Sequence, residues 1–425
     1  MDDTHSAPDR PAQPVVVIKP GHPISRQDVD PDALKIIYRL HRLGFTAYLT
    51  GGAVRDLMLG RPAKDFDVVT DARPGQIKKR FPRAYIIGRR FRLAHVHFPG
   101  GKYIEVATFR RISDQAARET PVEESIPVHP YGTPEEDAFR RDITINALYY
   151  DVINDAVIDY VGGLEDIARR TVRIIGNPAE RFTEDPVRIW RVLRYAARLG
   201  FAVEETAERE ISNHVHLIAA SSGARLYEEL NKDLAYETGP VMETLRKYGI
   251  LRHIFGKAGE AYEADAELFS RLSSLLDIAD RARVAGAQLT IEEMYAVLFW
   301  PWLQPLLEVN GVDYHKVLSD AFRDAGMRVN IPRNLRADSS QVLVIVAALD
   351  RALRTGRIRW SVLRRPYFGP AQRLYFLIFK GRPPAKDESF EALFRQAYPS
   401  GGTERGRRRR RRKRRYREPV EGKPL

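Results

Sequence analysis

Cysteine is absent from all 425 residues. That excludes disulfides and thiolate metal sites, so any metal must sit on carboxylates or histidines. The absence fits a reducing compartment, and a cytoplasmic location is expected. Long apolar runs are missing too. The best candidate, Val342 to Leu349, falls well short of the roughly 20 residues a membrane span needs, so no membrane association is expected. The opening stretch MDDTHSAPDRPAQP is acidic and Pro-rich, which does not read as a signal peptide. No internal repeat is visible. What is present is an ordinary 44% apolar fraction in a chain long enough for two or more domains.

Net charge is +13, unevenly placed. The last 25 residues hold twelve Lys and Arg, among them an unbroken run from Arg407 to Arg415, against Glu404, Glu418 and Glu421. A charge of +9 therefore belongs to this tail and only +4 to the rest. Self-repulsion predicts a disordered tail at 401–425, suited to a polyanion.

Residues 1–29 read as a mostly disordered leader, with Pro, Asp and Gln spread without period. Asp30 reads as an N-cap and Pro31 as the first helical position, opening a helix over 32–43. Strands are expected at 46–50, 65–70, 84–87, 94–98 and 103–109, helices at 54–59 and 75–81, and a long loop from Ile112 to Pro134. Beyond about residue 175 nearly everything reads as helix, with joints at Gly239-Pro240 and at Gly256 and Gly259.

The strongest chemical signal is Lys64-Asp-Phe-Asp-Val-Val69. Residues two apart on a strand share a face, so Asp65 and Asp67 project together while Phe66 and Val68 turn to the core. Two carboxylates on one face repel unless a cation joins them. A pair of Mg²⁺ ions would do so and would clamp the attacking and leaving oxygens of a phosphoryl transfer. The plain alternative is two solvated aspartates. Upstream, Gly51-Gly52 sits at a strand-to-helix turn, where a backbone approaches a ligand closely and free N–H groups favour an anion such as a triphosphate. Arg55, one turn on, is placed for a charge-assisted phosphate contact.

Gly51-Gly-Ala-Val-Arg-Asp-Leu-Met-Leu-Gly60 followed by Asp65-Phe-Asp67 resembles the signature of the class II tRNA nucleotidyltransferase and bacterial poly(A) polymerase superfamily. The resemblance is strong from about residue 45 to 205. It implies an α+β chain: a polymerase β-like head with a mixed sheet, followed by all-α neck and body domains. It also implies two Mg²⁺ and a nucleoside triphosphate, with Asp65 and Asp67 as the catalytic metal-binding pair and Gly51, Gly52 and Arg55 holding the triphosphate. Glu105, in Tyr103-Ile-Glu-Val-Ala-Thr-Phe109, reads as a third metal carboxylate or as a strand-face partner of a nearby Arg. Arg140-Arg-Asp-Ile-Thr-Ile-Asn146 resembles the second motif, with Ile143 in place of the usual Phe. Arg141 and Asp142 would organise sugar and phosphates, and Asp142 is counted with the catalytic carboxylates. Asp159-Tyr-Val-Gly-Gly-Leu-Glu-Asp166 resembles the third, a hinge between head and neck. In Glu184-Asp-Pro-Val-Arg-Ile-Trp-Arg191 the fourth motif begins a helix. Asp185, Arg188 and Arg191 would read the incoming base and phosphates, on an Arg row displayed opposite the packed face.

The domains implied are a leader at 1–29, a catalytic head at 30–175, a helical neck at 176–240, a helical RNA-binding body at 241–400 and the tail at 401–425. Within the superfamily, Ile86-Ile-Gly-Arg-Arg-Phe-Arg92, Glu135-Glu-Asp137 and the basic tail favour the poly(A) polymerase branch. The expected activity is template-independent transfer of AMP from ATP to RNA 3′ ends, on mRNA or other transcripts. The alternatives are a tRNA CCA-adding or A-adding enzyme, acting on tRNA, and a non-catalytic RNA-binding homologue.

Overall fold

The computed structural model describes residues 13–88, 92–111, 131–309, 311–385 and 388–399. The chain divides into two compact units, Met1–Val215 and His216–Leu425. Arg89, Arg90 and Phe91 of the branch motif, most of the expected loop after Ile112, and the tail lie outside the described residues.

The first unit is built on eight strands: β1 (Val15–Ile18), β2 (Ala47–Thr50), β3 (Asp67–Thr70), β4 (Ala84–Ile87), β5 (Leu93–His97), β6 (Tyr103–Thr108), β7 (Leu148–Asp151) and β8 (Ala156–Asp159). They form one mixed sheet in the order β1-β8-β7-β2-β3-β6-β5-β4. Every neighbouring pair is antiparallel except β3 with β6. A short parallel pair, β9 (Thr171–Val172) and β10 (Ala202–Val203), stands apart. The helices are α1 (Pro31–Arg42), α2 (Gly52–Met58), α3 (Pro74–Arg80), α4 (Pro134–Arg140), α5 (Gly163–Ala168), α6 (Pro178–Glu184), α7 (Val187–Leu199) and α8 (Glu205–His214). Asp30 caps α1 as its sequence requires, its carboxylate accepting from the Asp32 N–H at 2.8 Å.

The alternation of side chains gives the sheet two unlike faces. One is covered by α1, α2 and α3: Ile36, Ile37, Leu40, Val54, Leu57 and Ile77 pack on Leu49, Val68, Ala94, Val96, Val106 and Tyr150. The other carries a smaller core of Val69, Phe109, Ala138, Tyr149 and Ile158, confined to the β8-β7-β2-β3 half. Among the described residues that cover stops at the β3–β6 junction. Beyond it, on β4 to β6, the same face shows Tyr85, His95, His97, Tyr103 and Glu105, half-buried or exposed.

Two expectations change. The leader is not structureless over its described part: β1 pairs antiparallel with β8, and Ile24 and Val29 are buried. Val15-Val-Val-Ile18 is a β-branched run that gains an edge position through backbone pairing, its own side chains remaining largely exposed. The β3 ladder begins at Asp67, so Asp65 stands on the segment leading into the strand.

The second unit is helical: α9 (Gly223–Ala235), α10 (Thr238–Lys247), α11 (Leu251–Phe255), α12 (Lys257–Ala264), α13 (Ala266–Val284), α14 (Ile291–Glu308), α15 (Tyr314–Asp324), α16 (Arg333–Thr355), α17 (Phe368–Lys380) and α18 (Phe390–Ala397). Glu293 of α14 is fully buried and is bridged by Arg373 of α17 at 2.9 and 3.1 Å, so the charge is paired where it cannot be hydrated. The expected neck at 176–240 straddles the division between the units, and Gly239-Pro240 stands in the first turn of α10, just past the break that separates it from α9.

Candidate active site

Three motif residues meet at the end of β2. Gly51 follows Thr50, whose register partner is Asp67. It adopts φ 74°, ψ −143°, a conformation open to glycine and strained for other residues. A Cβ on Gly51 would stand 3.7 Å from Arg141 Nη1 and 3.8 Å from Asp67 Oδ2. The turn is thus bare where a carboxylate and a guanidinium flank it. Arg141 is held there by Asp137, at 3.2 and 3.0 Å, and by the Asn146 carbonyl at 3.1 Å, over the Tyr149 ring. Tyr149 donates to the same Asp137 oxygen at 2.9 Å.

Asp67 opens on solvent, yet the protein around its carboxylate desolvates it. That burial, helped by the charges of Glu105 and Asp65 and opposed by Arg141, pushes its pKa up to about 6. The three acids therefore share one electrostatic field. Among the described residues, however, no three His, Cys, Asp or Glu side chains converge as a ready-made metal cage. Glu105 lies 3.7 Å from His95 instead, and burial raises its pKa against the opposing charge of Arg110. The His95 ring is kept toward its neutral form by burial, so this contact is not the arginine ion pair that the sequence offered as one of two readings. Asp65 and Asp67 still suit Mg²⁺, an oxygen-seeking ion that takes one or two carboxylates and completes its shell with water and substrate phosphates.

Arg55 and Gly52 are adjacent, but Arg55 is not displayed for a triphosphate. It is buried, donating to Asp56 at 2.9 and 2.7 Å and to Asn146 Oδ1 at 2.6 Å, with its guanidinium over the Tyr195 ring. It ties α2 to the second motif and to α7.

The structure also relocates Asp142. Its two oxygens receive Arg188 Nε at 2.9 Å and Arg191 Nη1 at 2.6 Å. Burial works against its ionisation, but Arg191 and Arg188 outweigh that and hold the carboxyl below its usual range. Arg188 further donates to Glu184 at 2.6 Å and to the Arg181 carbonyl at 2.9 Å. The expected displayed row on α7 is therefore largely engaged within the protein: Arg188 is 8% exposed and Arg194 3%, with Arg191 half-buried. Val187, Ile189, Trp190, Val192 and Leu193 are buried on nearly every side of this helix, so its arginines needed partners within the protein. Asp185 starts α7 from just outside it, accepting from the Val187 N–H at 3.3 Å.

The third motif is pinned rather than loose. Asp159, buried, accepts from the N–H groups of Val161, Gly162 and Leu164 at 3.0, 2.9 and 2.9 Å. Gly163 packs so tightly that a Cβ would strike the Thr144 carbonyl. Sequence reasoning gave no role to Asp137, Asn146, Tyr149 or Glu184. Asp137, Asn146 and Glu184 lay inside quoted motifs, and their small number of acceptors among so many arginines was the available signal.

The family model for the Poly A polymerase head domain matches residues 47–173, and that for the "probable RNA and SrmB-binding site of polymerase A" matches 200–260. Poly(A) polymerase I of Escherichia coli O157:H7 is 35% identical over 392 residues, spanning 86% of this chain and 82% of the relative. Poly(A) polymerase I of Haemophilus influenzae is 38% identical over 325 residues, 72% of this chain and 70% of its own. The CCA-adding enzyme of Geobacillus stearothermophilus is 32% identical over 339 residues, 79% of each. The crystal structure of the Bacillus stearothermophilus CCA-adding enzyme in complex with CTP superposes with a TM-score of 0.56 at 26% identity, covering 91% of this chain and 100% of that one. The head-domain match and these relatives make the chain a nucleotidyltransferase. The chain belongs to the family of bacterial poly(A) polymerases, to which the CCA-adding enzymes are related.

Proposed function

We propose that this nucleotidyltransferase transfers AMP from ATP to the 3′ ends of RNA without a template, on mRNA or other transcripts in the cytoplasm. Among the described residues no helix is long and apolar enough to cross a membrane. The observation that carries the chemistry is the meeting of the Gly51 turn, Asp67 and Arg141 at one point. A triphosphate fits a bare backbone turn beside a guanidinium, and a 3′-hydroxyl fits beside the aspartates.

Asp65 and Asp67 are the residues that would hold Mg²⁺, which when bound lowers the charge barrier between hydroxyl and phosphate. The two aspartates orient the 3′-hydroxyl for in-line attack at the α-phosphorus, and pyrophosphate departs toward Arg141 and the Gly51-Gly52 backbone. Arg55 and Asp142 act at one remove, Arg55 by fixing the turn and Asp142 by fixing Arg188 and Arg191. Asp185 and those two arginines stand on the helix start that we assign to base recognition. Residues 30–175 are then the catalytic head, 176–240 the neck and 241–400 the RNA-contacting body.

Similarity to poly(A) polymerase I over 72–86% of the chain supports adenylation, and the CCA-adding relative at 32% identity keeps that second reading alive. Incubating the full chain with Mg²⁺, a generic RNA or a tRNA lacking its CCA end, and each NTP separately decides between them. A ladder with ATP alone on both RNAs is expected. Addition of C, C and A to the tRNA only would overturn the proposal, as would Asp65→Ala retaining more than a few per cent of activity.

A further inference from the structure

Among the described residues nothing gives the sheet a second cover beyond β3, and what this face presents there is largely aromatic. Tyr85 and Tyr103 are 59% and 50% exposed. His95 stacks on Tyr103 with ring centroids 4.2 Å apart and planes 12° from parallel. His97 lies edge-on to Tyr85 at 5.1 Å and 5.6 Å from Tyr103. Strand register makes these rings a continuous platform: Tyr85 pairs with His95, His95 with Glu105, and His97 with Tyr103. The same register carries it to the site, because Val68 pairs with Val106 and so sets Asp67 beside Glu105. From Asp67 to Tyr85 is three strand spacings, about 15 Å. Arg83 and Arg92, both exposed, flank the β4–β5 hairpin at its opposite ends.

We propose that this open face binds the single-stranded stretch of RNA just upstream of the 3′ terminus, its bases stacking on Tyr85, His95 and Tyr103. The inference rests on Asp67 marking the reacting end. A primer terminus held there must lead away over some surface within about 15 Å, the breadth of the platform. Rings stack on any base, so such a surface accepts unrelated RNA sequences, and flanking arginines suit the phosphates. A protein-docking face would instead be expected to bury a contiguous aliphatic patch, whereas here Ile87 and Leu93 stand only at the β4–β5 turn end and the rest of the face is rings and Glu105.

The test uses the full chain and an oligoadenylate primer carrying 2-aminopurine near its 3′ end. Wild-type protein should quench the probe on binding. Tyr103→Ala and Tyr85→Ala should lose quenching and raise the primer KM roughly five- to hundred-fold, with kcat at saturating primer within about twofold. Tyr103→Phe should restore both readouts. Alanine variants that quench and bind as wild type would overturn the proposal and leave the face to a protein partner. If wild-type protein extends no primer with any NTP, the catalytic reading fails. Quenching then still decides the platform: loss in the alanine variants supports it, and no quenching by wild type overturns it.

Discussion

Replacing Asp67 by Asn should make the metal-free protein more stable while abolishing its chemistry. Desolvation, with the negative charges of Glu105 and Asp65, raises the Asp67 pKa from 3.8 to about 6 in the folded state. Between those values the native state binds a proton that the unfolded state has lost. Wild-type stability therefore falls as pH rises through this window, and the full penalty remains above it. The rise corresponds to about 3 kcal/mol, but the side chain opens on solvent, and screening reduces the figure to roughly 1 kcal/mol. Asparagine mimics the neutral form and removes the penalty. In a unit of this size ~1 kcal/mol moves the melting temperature by about 2–4 °C. Melting curves in EDTA should show Asp67→Asn above wild type at pH 7.5, with the gap closing by pH 4. Excess Mg²⁺ should raise the wild-type midpoint and leave the variant's unchanged. Equal midpoints at pH 7.5 in EDTA, or a gap that widens toward acid, would refute the electrostatic account of this site.

Asp142→Asn weakens two charged contacts and should cost about 1–3 kcal/mol at neutral pH. Because the wild-type pKa is depressed, that stability is present above about 4 and lost as pH falls through the folded value, so denaturant titrations of the two proteins should converge in acid. Gly163→Ala drives a methyl into the Thr144 carbonyl and should destabilise by about 1–3 kcal/mol in the same assay. Full retention of stability would show that α5 has room to move. Deleting residues 403–425 removes most of the net positive charge and none of the motifs. RNA affinity should fall and its log–log salt slope become shallower, with ATP preference unchanged.

The parts of the fold most legible in the sequence were those with one dominant local signal. Pro and Asp fixed the start of α1, the short run Ala84-Tyr-Ile-Ile87 matched β4 at both ends, and the glycine pair located the turn before α2. What could not be read was partner choice. Helical spacing told which arginines of α7 lie near one another but not that Asp142, 46 residues before Arg188 in the chain, would be their counter-ion. Adjacent glycines at 162 and 163 suggested freedom, and only the Thr144 carbonyl pressed against Gly163 reveals that one of them is there for lack of space. β1 was hidden by composition, since its pairing with β8 lies in the backbone and not in its largely exposed side chains.

The Asp142–Arg188–Arg191 cluster has a historical consequence. One carboxylate is shared by two guanidiniums, at 2.9 and 2.6 Å, and Glu184 supplies a second to Arg188. Losing Asp142 removes a shared partner from both arginines and leaves Arg188, 8% exposed, to Glu184 and the Arg181 carbonyl, while losing either arginine alone takes one charged contact from the carboxylate. Single substitutions at these positions therefore carry a cost that paired ones reduce. Positions 142, 188 and 191 should covary across relatives as a block, with drift at 191, the more exposed of the two arginines, preceding drift at 188.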